Sequence, residues 1–178
     1  MKDIIHSLKY ERRRSIALPL GRLMLERGAE LLRDADILVP VPLHPRREYQ
    51  RGFNQADELA RQLGVPVLPL LKRIVFTQSQ IELPREQRQE NVKHAFALND
   101  KPKGLSLQRI PNIPSSDDRP RRISYGDEPL GSSFRIVVLI DDVSTTGATL
   151  EACARVLKNA GVKEVRALTA ARVVNERR

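Results

Sequence analysis

Asp141 and Asp142 follow directly on the clearest strand of the chain, Arg135-Ile136-Val137-Val138-Leu139-Ile140, and lead into Val143-Ser144-Thr145-Thr146-Gly147-Ala148-Thr149. The two halves of this string suit different chemistry. A Thr- and Gly-containing turn that opens a helix offers backbone N–H groups, hydroxyls and the positive end of the helix dipole to an anion. Gly147 supplies the backbone angles that let several N–H groups point the same way. A carboxylate only accepts, so Asp141 and Asp142 would repel a phosphate. They suit sugar hydroxyls, met directly or through Mg²⁺ and its waters. The string therefore reads as a phosphate cradle, Ser144 to Thr149, beside a sugar clamp, Asp141 and Asp142.

Other uses of a strand-end acidic pair fit less well. Receiver domains carry one too. Haloacid-dehalogenase-like enzymes need an aspartate two residues after the first, where this chain has Val143. A P-loop needs Gly-Lys-Ser/Thr, and no lysine stands between Asp141 and Leu157. A helix cap would account for Thr146 or Thr149, but not for the aspartates beside them.

A second constellation, Val39-Pro40-Val41-Pro42-Leu43-His44, leaves a short apolar run and meets Arg46, Arg47 and Arg51, then Gly52-Phe53-Asn54-Gln55. Arginine forks match phosphate oxygens in pairs. At the carboxyl end of a neighbouring strand, these three arginines would face a pyrophosphate.

Positioning both groups requires an open parallel sheet, in which ligands gather beyond the carboxyl ends of the strands. The sequence supplies the parts. Leu20, Leu23, Met24, Leu31 and Leu32 recur at helical spacing after Ser15, the expected N-cap of a second helix that follows a first one around Ile4, Ile5 and Leu8. The 36–42 run reads as a buried strand, 43–53 as a basic loop, 54–63 as a helix stopped by Gly64, and 65–68 as a second short strand. Leu70 to Ile74 reads as a helical turn and Glu86 to Phe96 as a helix. Residues 99–133, rich in Pro, Ser, Arg and Asp, read as a flexible insertion with too little apolar mass to order itself. A helix from Ala148 to Ala160, stopped by Gly161, and a strand from Glu164 to Ala170 complete the unit. Continuously apolar strands separated by helices imply a sheet covered on both faces.

Composition is consistent with this. The chain has 178 residues, 40% hydrophobic and 30% charged, enough for one domain with a core. Lys and Arg number 31 against 22 Asp and Glu, a net charge of +9 that favours a polyanionic partner. One cysteine, Cys153, excludes a disulfide framework or a Cys-based zinc site and reads as a buried thiol of the last helix. The first residues lack the apolar core of a signal peptide and no run is long enough to span a bilayer, so a cytoplasmic location is expected.

Taken together, the Asp141-to-Thr149 string resembles the signature by which type I phosphoribosyltransferases bind 5-phosphoribosyl-1-pyrophosphate (PRPP). The order Val39 to Gln55, then Arg73, Thr77 and Gln78, then Arg85, Arg88, Asn91, Ala95 and Phe96, is similar to the ComF family, whose members are linked to DNA uptake in natural competence. The resemblance covers most of the chain outside 99–133. It implies an α/β fold, the doubly wound parallel sheet of type I phosphoribosyltransferases, with a reduced helical hood in residues 1–35 and the transferase-like domain in 36–178. It implies PRPP and Mg²⁺ as ligands, and a mobile loop from Lys72 to Asn91 in which Arg73, Gln78, Arg85, Arg88 and Asn91 would close over the pyrophosphate. ComF-like proteins commonly carry an N-terminal cysteine-rich zinc module. This chain lacks those cysteines and opens at about the point where that module would end. Two functions are compatible with the resemblance: transfer of phosphoribose to an acceptor that the sequence does not reveal, or sensing of PRPP or a nucleotide without turnover by a factor that handles single-stranded DNA with the competence machinery. Basic runs at Arg12 to Arg14 and Arg119 to Arg122 could serve the second, but with no Trp, three Tyr and four Phe stacking platforms are scarce.

Overall fold

A computed structural model describes residues 17–75, 92–99 and 134–173. Its centre is a parallel sheet of three strands, β1 (Ile37–Pro40), β4 (Ile136–Ser144) and β5 (Glu164–Arg172), in the order β1-β4-β5. Ile37 pairs with Val137 and Pro40 with Ile140, while β4 pairs with β5 from Ile136–Glu164 to Ser144–Arg172. The expected strand at 65–68 is reduced to a parallel bridge between Leu38 and Val67, flanked by bonds from Leu38 N to Pro66 O at 2.8 Å and from Leu68 N to Leu38 O at 2.9 Å. It extends the sheet beyond β1.

Alternation along the strands divides the core in two. Ile37, Val39, Val137 and Leu139 face α5 (Ala148–Asn159), meeting Ala152, Cys153 and Leu157. Leu38, Val138 and Ile140 face the opposite way, onto Leu20 and Met24 of α1 (Ala17–Arg27), Leu32 of α2 (Ala29–Leu32), and Leu59 and Ala60 of α4 (Gln55–Ala60). Each such side chain contributes about 1.5–3 kcal/mol when fully buried. The sheet is covered on both faces, the expected doubly wound arrangement. Residues 17–32 belong to one of these layers and share its core. Of the helical stripe, Leu20, Met24 and Leu32 are buried, whereas Leu23 and Leu31 face solvent. Where α1 gives way to α2, Gly28 lies so close to β5 that a Cβ there would come within 2.7 Å of Leu168 Cδ2.

Four local expectations change. The 43–53 stretch is not a loop: Pro45–Arg51 form a helix, α3, capped by His44 and ended by Gly52 at φ 79°. Leu71–Arg73 form a strand, β2, rather than a helical turn, and β2 pairs antiparallel with β3 (Phe96–Leu98). Phe96 therefore opens a strand instead of closing a helix. The remainder of that helix, residues 86–91, lies outside the described residues, as do residues 1–16 and 100–133. Asn99 itself is fixed, its N and Nδ2 donating to Leu70 O at 2.8 Å and Pro69 O at 3.0 Å, so a flexible insertion cannot begin before residue 100.

Candidate functional site

The acidic pair lies inside β4, not after it. Asp141 pairs with Thr169 and Val143 with Ala171, because β5 runs on to Arg172 and carries its neighbour with it. Both acids are partly exposed. Asp141 Oδ1 accepts from Asp142 N at 2.8 Å and Asp142 Oδ1 from Val143 N at 2.7 Å, so each carboxylate is braced by the next peptide. These hard oxygen donors suit Mg²⁺, which takes one or two carboxylates and completes its shell with water and substrate oxygens. Among the described residues no group of three or more His, Cys, Asp and Glu could hold a metal by itself.

The turn expected to cradle a phosphate is shorter than the 144–149 string. Ser144 is the last residue of β4, opposite Arg172, leaving Thr145, Thr146 and Gly147 as the turn. Gly147 adopts φ 80° and ψ −4° as N-cap of α5. Thr146 Oγ1 accepts from Ala148 N at 3.4 Å. Ala148 turns its side chain into the core and can offer only its backbone; Thr149 is in the first turn of α5 and half-buried.

The arginine element stands at the same end of the sheet. Val41 N donates to Ile140 O at 2.9 Å, one residue before Asp141, and Asn54 Nδ2 donates to Val41 O at 3.0 Å. That chain of bonds fixes both ends of α3. His44 caps it with Nδ1, which accepts from Arg46 N at 3.3 Å. Partial burial, then the guanidinium groups of Arg46, Arg73 and Arg47, hold the His44 pKa below the ordinary imidazole value. Arg46 is exposed, Arg47 and Arg51 are half-buried, and Arg51 Nη1 donates to Gln55 Oε1 at 3.3 Å.

Arg73 departs most from expectation. Assigned by resemblance to a mobile loop, it is a buried residue of β2, 9% exposed, with its guanidinium 5.3 Å above the centre of the Phe96 ring. Burial lowers its pKa, nearby Arg47 lowers it further, and Cys153 and Asp141 act in the opposite sense. Arg73 is thus within electrostatic reach of Arg47, His44 and Asp141. Cys153 is fully buried beneath them and its pKa is pushed far up, first by burial and then by Asp141. Gln78, Arg85, Arg88 and Asn91 lie outside the described residues. Sequence reasoning missed Gln55, a buried polar side chain at the start of α4, and the capping role of His44. Pro45 at the first helical position and Gly52 at the end were the available signal for α3.

Residues 49–177 match the phosphoribosyl transferase domain family. The chain is 30% identical over 172 residues to competence protein F of Haemophilus influenzae, covering 91% of this chain and 63% of that protein. It is 31% identical over 175 residues to the DNA utilization protein YhgH of Escherichia coli, covering 93% and 64%. Competence protein ComFC of Streptococcus pneumoniae is 29% identical over 134 residues, covering 75% and 47%. The chain thus spans somewhat less than two thirds of the length of the first two relatives and under half of the third. A hypoxanthine phosphoribosyltransferase from Staphylococcus aureus is similar at a TM-score of 0.39 and 13% identity, covering 88% of this chain and 74% of that one. Among the described residues no helix is long and apolar enough to cross a membrane. With a match that takes in well over half of its residues, and with ComF-like relatives along most of its length, the chain belongs to the phosphoribosyl transferase domain family.

Proposed function

We propose that the chain binds PRPP with Mg²⁺ and acts as a phosphoribosyltransferase in DNA uptake, in the cytoplasm. The observation that carries this reading is the Val41–Ile140 hydrogen bond, which brings the arginine helix and the acidic pair to one sheet end. In the proposed complex the N–H groups of the Thr145-Thr146-Gly147 turn hold the 5-phosphate, and Asp141 and Asp142 accept from the ribose hydroxyls. Arg46, Arg47 and Arg51 meet the pyrophosphate. Asp141 and Asp142 would hold Mg²⁺ through its waters, and the chemistry the ion supplies there is neutralisation of charge on the leaving group.

In the transfer step the bond from the anomeric carbon to pyrophosphate breaks and its electron pair leaves with the pyrophosphate. The acceptor's nucleophilic atom forms the new bond and gives its proton to solvent. Positive charge develops on the ribose near Asp141 and Asp142, and negative charge on the leaving group near the arginines. Charges already in place at both ends lower the barrier without reorganisation, commonly the largest single catalytic contribution. Pyrophosphate release measured against a panel of bases, nucleosides and ammonia tests this. Release that depends on one class of acceptor supports transfer; no release with any, despite PRPP binding, rejects turnover.

A second reading, PRPP sensing coupled to single-stranded DNA, is favoured by one feature. Tyr49 stands 90% exposed on α3, in the same helix as the exposed Arg46, as a ring on which a base could stack. The relatives named for competence and DNA utilization point the same way. Salt-dependent binding of a single strand that changes with PRPP and is lost in Tyr49→Ala would favour it over transfer.

A further inference from the structure

Gln55 is 2% exposed, and its Nε2 has no hydrogen-bond partner among the described residues. A buried amide donor left unpaired costs about 1–3 kcal/mol, so its retention needs a reason. The orientation of the amide is fixed by its neighbour. Arg51 can only donate, so the oxygen of Gln55 must face Arg51 Nη1, as it does at 3.3 Å, and the NH₂ must face away from it. Flipping the amide would set two donors against each other. The preceding residue, Asn54, is tied through Val41 O to the peptide of Ile140, beside Asp141. Gln55 thus follows directly on the residue that ties α4 to the end of β1, and its oxygen is bonded to the last residue of the arginine helix.

We propose that Gln55 is a ligand-binding residue, its amide donating to the same phosphate-type anion that Arg51 meets, so that the two form a donor pair on the leaving-group side of the site. This rests on the PRPP reading and adds to it a residue that selects for an acceptor-only oxygen. The unpaired Nε2 is then a polar group held ready, at a cost in stability that the bound anion repays.

Calorimetric titration of the intact chain with inorganic pyrophosphate and Mg²⁺ tests it, together with melting curves, for Gln55→Met and Gln55→Glu. The methionine variant removes the amide at similar volume. It should weaken pyrophosphate about tenfold, the equivalent of one charge-assisted hydrogen bond, and melt no lower than the parent. The glutamate variant keeps an acceptor for Arg51 but turns the donor into a second negative oxygen, and should bind more weakly still. If Gln55 serves only to hold Arg51, glutamate will bind as well as the parent, which overturns the proposal. Failure of both variants to fold overturns it as well, since the amide would then be satisfied inside the protein. A parent chain that does not bind pyrophosphate contradicts the site reading itself, whereas a binding parent with unaffected variants removes Gln55 alone.

Discussion

Asn54 Nδ2 donates to Val41 O at 3.0 Å, and through this bond the start of α4 is fastened to the end of β1 across the whole of α3. The same Asn54 caps α4, its Oδ1 accepting from Ala56 N at 3.1 Å. One side chain therefore closes the loop that carries Arg46, Arg47 and Arg51 and sets their distance from the acidic pair. Asn54→Ala loses the cap and the tie together. It should destabilise the chain by about 1–2 kcal/mol in urea unfolding and weaken pyrophosphate binding more than that loss alone explains. Unchanged binding would detach α3 from the site.

Asp141→Asn with Asp142→Asn should abolish Mg²⁺-dependent PRPP binding and leave the fold intact. Asparagine keeps an oxygen to accept from the next peptide N–H, as both acids do now, so the unfolding midpoint should change little. Retained affinity would remove the pair from the site.

His44 should titrate below the ordinary imidazole value, because partial burial and the surrounding arginines disfavour its charged form and because Nδ1 must stay unprotonated to cap α3. A depressed folded pKa means that its contribution to stability is present above the unfolded value and fades as pH falls through the folded one. An anion bound among those arginines offsets their repulsion, so pyrophosphate should raise the His44 midpoint and binding should take up protons near that pH. NMR titration with and without pyrophosphate measures both shifts; an unmoved midpoint would set the ligand apart from α3.

How much of this was legible beforehand varies with the range of the interaction. β4, β5 and α5 were readable because apolar runs and a glycine stop are local signals. The acidic pair looked like the residues after a strand, since nothing in Asp141-Asp142 reveals that β5 continues to pair as far as Arg172. β2 is three residues long and owes its conformation to Phe96–Leu98, more than twenty positions away, so its own residues could not announce it. The resemblance puts Arg73 in a mobile loop, and nothing local to β2 speaks against it. Gln55 was visible as a letter in a motif, but its burial and its bond to Arg51 are products of packing.

Asp36 gives a test of the scaffold alone. Its Oδ2 accepts from Arg135 N at 2.6 Å and from Ile136 N at 2.9 Å, fixing the entry of β4 beside β1. Asp36→Ala leaves those two part-buried donors unmatched and should cost about 2 kcal/mol in urea unfolding. A loss below half of that would mean the strand entry is held by its ladder.

The central claim is that this sheet end grips PRPP, and calorimetric titration of the parent chain with PRPP, in the presence and absence of Mg²⁺, tests it most directly. The account predicts saturable binding at one site that needs Mg²⁺ and is blocked by pyrophosphate. No heat of binding under either condition, or binding indifferent to both Mg²⁺ and pyrophosphate, would contradict it.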